Sequence, residues 1–287
     1  MKIAIIGGSG KMGWWFANFL AKEGKEVIII GRSEQRLLEA KEKLRAETST
    51  NIKAVKSADV VLISVPINNF ETVVKKLQPH THPKQIILDI TSIKVLPVAI
   101  MHRYLKSTSV LGIHPVFGPG AKDIVDKNFV LTPTNEKETT LAEKVKQYLE
   151  KRGAKVTLMP PKEHDEMMAV ILGLSHFIGI VSAETLLSLG RLKPTKNIGG
   201  GTYKLLLTLA ESVVSEDAEF YASLQMNLPM VTEIEETFRR NSATWANIVK
   251  NKDRAEFVKK MNALKSAFEE RDPDFRKAYE TMYKLLE

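Results

Sequence analysis

The sequence contains no cysteine at all. This absence excludes disulfide bridges, thiolate metal sites and cysteine nucleophiles. Long unbroken apolar runs are also missing, and the first one, at the N-terminus, stops at Gly7 and is too short for a signal peptide. The longest apolar stretch, residues 167–189, is interrupted by polar residues such as His176 and Glu184, so it predicts a buried helix rather than a membrane span. We therefore expect a cytoplasmic protein that does not bind membranes.

The charge is basic but mixed. The 287 residues carry 42 Lys and Arg against 34 Asp and Glu, a formal net charge of +8. Cations alternate with carboxylates along segments such as 33–47 and 136–152, which is typical of solvated helix faces and argues against a nucleic-acid partner. The excess of positive charge instead suits a small anionic substrate.

The first half of the chain alternates short apolar runs with amphipathic stretches. The runs predict strands at residues 2–6, 26–30, 52–55, 60–64, 86–89, 110–113, 129–131 and 155–158, with helices between most of them. After Pro160 and Pro161 only helical periodicity remains. The pattern predicts an α/β protein, with a Rossmann-type doubly wound parallel sheet at 1–159 and an all-helical substrate and dimerisation domain at 160–287.

A glycine-rich turn follows the first predicted strand. Residues 8–13 fit G-x-G-x-x-G and stand directly between a strand and a helix, which indicates a dinucleotide site. A glycine-rich packing turn that binds nothing is the alternative interpretation. The predicted cofactor-binding residues here are Gly8, Ser9, Gly10, Lys11, Met12 and Gly13.

The end of the second predicted strand bears on which dinucleotide binds. An NAD site usually has an acidic residue there, whereas this sequence has Arg32 and Ser33. A guanidinium and a hydroxyl suit a 2′-phosphate, so the sequence favours NADP, with NAD as the alternative. In the other interpretation, Arg32 is an ordinary surface residue and Ser33 caps the next helix. Ser64 and Pro66, at the end of another strand, complete the predicted cofactor site.

Of the six histidines, His114 is the strongest catalytic candidate, since it ends a strand and precedes a loop fixed by proline and glycine. A structural histidine is the alternative at this position. His164 stands in Glu-His-Asp at a helix start, where charge and capping explain it. His176 interrupts an apolar run and predicts either a hydrogen-bonded core residue or a cleft residue. No metal site is predicted.

Several segments together resemble prephenate dehydrogenases: GGSGKMG, DITSIK, GIHPVFGP, the EHD…LSHF spacing and EFYASLQMN. The resemblance implies oxidative decarboxylation of prephenate, with hydride transfer to NAD(P)+, on the route to tyrosine. It also implies a homodimer. It assigns proton acceptance to His114, positioning of the substrate hydroxyl and the imidazole to Ser92, and substrate binding to Lys94, His176 and Lys204.

One segment departs from the family pattern. Members of the family carry an arginine after the glycine run that grips a substrate carboxylate, but residues 202–216 contain none, and Lys204 is their only cation. Arg239 or Arg240, from this chain or a partner, could substitute. The departure leaves arogenate open as the substrate, since it carries an amine where prephenate carries its keto group. Another NADP-linked oxidoreductase, such as a deazaflavin:NADP reductase or a β-hydroxyacid dehydrogenase, and a non-catalytic NADP-binding sensor are the remaining alternatives.

Overall fold

The computed structural model of the protein describes residues 1–285 and divides into two compact units, Met1–Met168 and Ala169–Glu287. This division rests on compactness alone, which does not test where the predicted domains begin and end. The boundary at 159/160 therefore stays a prediction.

The first unit is built on an eight-stranded sheet in the order β3-β2-β1-β4-β5-β6-β7-β8. Every neighbouring pair is parallel except β6 and β7. The strands are β1 (Lys2–Ile6), β2 (Glu26–Ile30), β3 (Glu47–Ser49), β4 (Val60–Ile63), β5 (Ile86–Asp89), β6 (Ser109–Pro115), β7 (Asn128–Thr132) and β8 (Lys155–Leu158).

Helices cover both faces of this sheet. They are α1 (Lys11–Lys22), α2 (Glu34–Leu44), α3 (Ile67–Leu77), α4 (Val95–Tyr104), α5 (Glu136–Glu150) and α6 (Pro161–Met168). Because successive strand residues point to opposite faces, Ile3 and Ile5 enter one core cluster while Ala4 and Ile6 enter the other. The central strands are consequently apolar on both sides, which is why they read as continuous apolar runs. The predicted doubly wound sheet is confirmed.

Two local predictions in this unit are wrong. Residues 52–55 were expected to form a strand, but Ile52–Ser57 is a 3₁₀ helix that begins with Asn51 accepting a hydrogen bond from the Lys53 amide. The third strand is instead Glu47–Ser49, a segment for which the apolar pattern predicted no strand and of which the predicted helix at 33–47 included only Glu47. A three-residue edge strand has too few side chains to show a period of two.

The second unit is helical in its described part. A π-helical segment, Ala169–Leu174, joins α6 to α7 (Ser175–Ser188). The remaining helices are α8 (Leu192–Ile198), α9 (Gly201–Val214), α10 (Ala218–Asn227), α11 (Val231–Lys250), α12 (Arg254–Arg271) and α13 (Ala278–Lys284), with a 3₁₀ turn at Phe275–Lys277.

The long apolar helix is mostly exposed in the single chain. The helical run Pro161–Ser188 is long and apolar enough to cross a membrane by length and composition alone, a test that core helices of soluble proteins also pass. Only 17% of its most apolar window is buried, so the predicted burial does not occur within one chain. Exposed apolar side chains on this run include Val170, Ile171, Ile180, Val181 and Leu187.

Candidate active site

The glycine-rich turn lies where the order of the strands reverses, between β1 and β4. Gly7 has a φ of +79°, and a Cβ there would stand 2.0 Å from the carbonyl oxygen of Ser64. A Cβ on Gly13 would stand 2.4 Å from the Gly7 oxygen, so the start of α1 packs directly on the turn. Both positions require glycine, and they bring the predicted residues Gly8, Ser9, Gly10, Met12 and Ser64 to the carboxyl edge of the sheet.

The N-terminus of α1 is shaped for an anion. The helix begins at Lys11, and its cap residue Gly10 offers no side-chain acceptor. The first-turn amides are therefore not satisfied by a side-chain cap, and together with the helix dipole they favour a phosphate group. Pro66 follows the end of β4 and is the N-cap residue of α3.

Arg32 and Ser33 follow β2. Arg32 is exposed and has no ion-pair partner within residues 1–285. The Ser33 hydroxyl oxygen accepts a 3.4 Å hydrogen bond from the Arg36 amide and so caps α2, as the alternative interpretation expected. Accepting this bond leaves its hydroxyl hydrogen free to donate.

His114 is buried near the end of β6, with 4% of its surface exposed. Its Nδ1 lies 2.8 Å from Nε2 of His164, and Nδ1 of His164 lies 2.7 Å from Oδ1 of Asp165. Three side chains thus form a buried line that ends in a carboxylate. The expectation that charge and capping explain His164 is wrong, since its ring is fully buried and hydrogen-bonded to His114.

The carboxylate fixes the proton positions along this line. Asp165 also accepts the amide hydrogens of Lys94, at 2.7 Å, and Val95, at 2.9 Å, so it caps the N-terminus of α4 and serves only as an acceptor. It therefore takes the Nδ1 hydrogen of His164, whose Nε2 must then accept the Nδ1 hydrogen of His114. The lone pair of neutral His114 is left on Nε2, which has no hydrogen-bond partner among the described residues.

The surroundings of His114 keep its imidazole neutral. Burial lowers its pKa well below the usual value of 6.5, and the nearby His164 and Lys94 lower it further. The pKa of His164 is also lowered, chiefly by burial, against an opposing effect of its bond to Asp165. A neutral imidazole with an unpartnered Nε2 can accept a proton.

The position of Lys94 does not support its expected contact with a substrate carboxylate. Its side chain is fully buried, paired with Asp89, and its Nζ donates a 2.8 Å hydrogen bond to the Ile113 carbonyl. Its stem fits because residue 112 is glycine: a Cβ there would lie 3.1 Å from Cδ of Lys94. Lys94 therefore links Asp89 of β5 to Ile113 of β6, the residue before His114.

Ser92 lies half-buried in the loop between β5 and α4. Nδ1 of His114 donates its hydrogen bond to Nε2 of His164, so the imidazole is oriented by that residue in the structure. The positioning role of Ser92 stays a prediction.

In the second unit, the predicted substrate residues are on two different helices. His176 lies in the first turn of α7 with its ring 4.7 Å from that of Tyr221. Lys204 is exposed in the first turn of α9. Of the two arginines named as substitutes, Arg239 pairs with Glu236 at 2.7 Å, and Arg240 donates to the Thr237 hydroxyl at 3.1 Å.

Comparisons with known proteins match both units. Residues 16–158 match the family profile described as "Prephenate dehydrogenase, nucleotide-binding domain", and residues 160–263 match "Prephenate dehydrogenase, dimerization domain". A "Probable arogenate/prephenate dehydrogenase" of Methanocaldococcus jannaschii is 36% identical over 272 residues, covering 93% of this chain and 61% of that protein. The "T-protein" of Haemophilus influenzae is 28% identical, covering 96% of this chain and 69% of that protein. The chain thus spans about two thirds of the length of these relatives.

Solved structures support the fold. Prephenate dehydrogenase from Aquifex aeolicus, in complex with hydroxyphenyl propionate and NAD+, has a TM-score of 0.77 and 22% identity, with 95% of this chain and 98% of that chain covered. The arogenate dehydrogenase of Synechocystis has a TM-score of 0.71 and 20% identity, with 94% and 99% covered. These similarities establish a common architecture.

Proposed function

The chain belongs to the prephenate dehydrogenase family, and from this premise we propose that it oxidatively decarboxylates prephenate to 4-hydroxyphenylpyruvate in tyrosine biosynthesis. Arogenate, the amino counterpart of prephenate, is the alternative substrate. The observation that carries the proposal is the buried line His114–His164–Asp165, which places an unpartnered lone pair on Nε2 of His114.

His114 acts as the proton acceptor. As hydride leaves the hydroxyl-bearing ring carbon, the hydroxyl proton passes to Nε2 of His114, so no negative charge accumulates on the oxygen. His164 and the carboxylate of Asp165 then stabilise the imidazolium through the hydrogen bond at Nδ1. Ser92 is proposed to hold the substrate hydroxyl, as the family resemblance implies, and it lies half-buried in the loop between β5 and α4.

The nucleotide is proposed to bind at the turn of residues 8–13, with Ser64 and Pro66 at the neighbouring strand end. When bound, the nicotinamide accepts the hydride. The turn has no room for a Cβ at Gly7 or Gly13, and no side chain caps the N-terminus of α1. Both features fit a pyrophosphate bound at this helix N-terminus. Arg32, together with the hydroxyl of Ser33, fits the 2′-phosphate of NADP, and NAD is the alternative.

The substrate is proposed to be held in part by the helical unit. Prephenate is a dianion, and each desolvated carboxylate needs a cation or a pair of N–H donors. Lys94 is committed to Asp89, and the family resemblance implies Lys204 for one carboxylate, with His176 beside the same substrate. We propose a homodimer, which the exposed apolar side chains of α7 and the match to a dimerization domain support. A cytoplasmic location is proposed from the sequence pattern alone.

The decisive experiment follows absorbance at 340 nm with prephenate and with arogenate, each with NADP+ and NAD+. His114→Asn is expected to lower turnover by at least ~100-fold, the scale of lost general-base catalysis, with nucleotide affinity nearly unchanged. His102→Asn, on a half-exposed histidine, is the matched control. Full activity of His114→Asn would exclude the mechanism and favour a reductase that needs no base, and nucleotide binding without any turnover would favour a sensor.

A further inference from the structure

The two histidines of the buried line face different groups. Nδ1 of His164 contacts Oδ1 of Asp165 at 2.7 Å, and Nε2 of His164 lies 2.8 Å from Nδ1 of His114. His114 makes no contact with a carboxylate in the described part of the chain. His164 is thus the ring of this line that lies directly against a negative charge.

A positive charge on the line is better compensated on His164 than on His114. Both rings are buried, His114 with 4% of its surface exposed and His164 with 0%. A buried cation needs a carboxylate in contact with it. The other charged groups that act on the rings are Lys94 and Asp89, which are paired with each other. The contact with Asp165 therefore selects His164 as the ring that can carry the charge.

The acid–base properties of the two rings agree with this geometry. Burial has the largest effect on both and lowers both pKa values. The remaining effects on the pKa of His114, from His164 and Lys94, lower it further. Lys94 also lowers the pKa of His164, but the hydrogen bond to Asp165 raises it, and the charges of Asp165 and Asp89 act in the same direction. A proton shared by the two rings is therefore more stable on His164.

The hydrogen bond between the rings provides the route for this proton. In the neutral line, Nδ1 of His114 donates to Nε2 of His164 across 2.8 Å. When Nε2 of His114 receives a hydrogen, the Nδ1 hydrogen can pass to Nε2 of His164 without movement of either ring. His114 is then neutral again, in its other tautomer.

We infer that His164 holds the substrate proton during the reaction and that His114 passes it on. As hydride leaves the ring carbon with its electron pair for NAD(P)+, the hydroxyl O–H bond breaks and an Nε2–H bond forms on His114. The electron pair of the O–H bond becomes the second carbon–oxygen bond. At the same time the Nδ1–H bond of His114 breaks and an Nε2–H bond forms on His164, whose charge then lies against Asp165. This step rests on the proposed function, because it belongs to the same reaction.

The proton returns when carbon dioxide leaves. The electron pair of the bond to the departing carboxylate enters the ring, which becomes aromatic, and the oxygen takes the Nε2 hydrogen of His114 to form the phenol. His164 gives its Nε2 hydrogen back to Nδ1 of His114, so atoms and charges balance and no proton is exchanged with solvent. The carboxylate of Asp165 also accepts the amide hydrogens of Lys94 and Val95. The line therefore stores the proton and does not conduct it further.

The first test replaces His164 with a residue that accepts a hydrogen bond but cannot take a proton. In His164→Gln, the amide oxygen can still accept the Nδ1 hydrogen of His114, so the base stays oriented. We expect kcat with prephenate and with arogenate to fall about tenfold or more, while the KM for substrate and for nucleotide changes by less than about threefold. His102→Gln, at a half-exposed histidine, is the matched control and should leave kcat unchanged.

His164→Ala separates orientation from proton transfer. It removes the hydrogen-bond acceptor together with the basic nitrogen, so it should be at least as slow as His164→Gln. A kcat near the wild-type value in His164→Gln, together with a slow His164→Ala, would mean that His164 only orients the base. That result would overturn the transfer to His164 and leave the proposed function standing, whereas a wild type that oxidises neither prephenate nor arogenate would overturn both.

The second test locates the charge without turnover. Nitrogen NMR of the histidine side chains, on the protein saturated with NADP+, follows both rings as the pH is lowered until the protein unfolds. His164→Gln and His114→Asn assign the signals. We expect the nitrogens of His164 to reach the chemical shifts of an imidazolium at a higher pH than those of His114. Charge that appears first on His114, or on neither ring before unfolding, would overturn the transfer.

Discussion

At the residue scale, Arg32 is proposed to favour NADP+ over NAD+. It is exposed just after β2, where an acidic residue would otherwise bind the ribose hydroxyl. Arg32→Ala is therefore expected to raise the KM for NADP+ by about tenfold while leaving the KM for NAD+ nearly unchanged, because only NADP+ presents a 2′-phosphate. Arg36→Ala, an exposed arginine one turn further along, serves as the control. Wild-type kinetics that already favour NAD+ would refute the assignment.

The acid sensitivity of the fold also originates in single residues. Burial lowers the pKa values of His114, His164 and His176 below 6.5. The unfolded chain therefore binds more protons than the folded one as the pH falls below about 6.5, and stability decreases there.

Urea unfolding between pH 7.5 and 5 measures this effect. We expect the free energy of unfolding to be flat above about pH 7 and to fall as the pH decreases below about 6.5. Glu71 and Glu236 have lowered pKa values, so their protonation would affect the free energy of unfolding only at more acidic pH. A stability that is constant down to pH 5 would contradict the burial of neutral imidazoles.

At the element scale, Lys94 and Asp165 join elements that are distant in sequence. Lys94 connects β5 and β6, and Asp165 of α6 caps α4. These two residues are 71 positions apart in the sequence, so a local sequence pattern cannot predict their contact. The same contacts hold His164 in place behind His114.

The Lys94→Met variant distinguishes a structural role of Lys94 from a role in substrate binding. Removing one partner of a buried ion pair leaves Asp89 uncompensated, so the free energy of unfolding should fall by about 3–5 kcal/mol. Lys84→Met, at an exposed lysine before β5, should cost almost nothing. A rise in the KM for prephenate at unchanged stability would instead support the carboxylate contact that the family resemblance implies for Lys94.

At the scale of the whole molecule, the helical unit of a single chain exposes many large apolar side chains. Leu187 on α7 is 66% exposed, and Ile180 and Val181 on the same helix are exposed as well. Exposed clusters of apolar side chains are typical of interaction surfaces. Together with the match to a dimerization domain, this surface favours a homodimer.

Sedimentation equilibrium tests this assembly. The wild type should have twice the mass of one chain, and Leu187→Asp should shift it toward the monomer by placing a charge in the interface. Leu38→Asp, at a leucine of α2 that is 61% exposed, should remain dimeric. A wild type that is monomeric at micromolar concentration would reject the homodimer.

The sequence alone determined the features that depend on neighbouring residues. The strand–turn–helix context of residues 8–13 predicted the nucleotide-binding unit, and the apolar runs predicted most strands, because backbone geometry and side-chain period are local properties. His114 could be singled out since it ends such a run before a rigid loop. The absence of strand-like apolar runs after Pro161 likewise predicted a helical second unit.

Tertiary structure decided what each polar residue does. Asp165 lies about 70 residues from the amides of Lys94 and Val95 that it caps, and His164 lies 50 residues from His114, so only folding shows that they orient the His114 imidazole. For the same reason, only the fold shows that Lys94 is buried and paired with Asp89. Burial and hydrogen-bond partners set the charge and direction of a side chain, and both arise from contacts between segments that the linear sequence keeps apart.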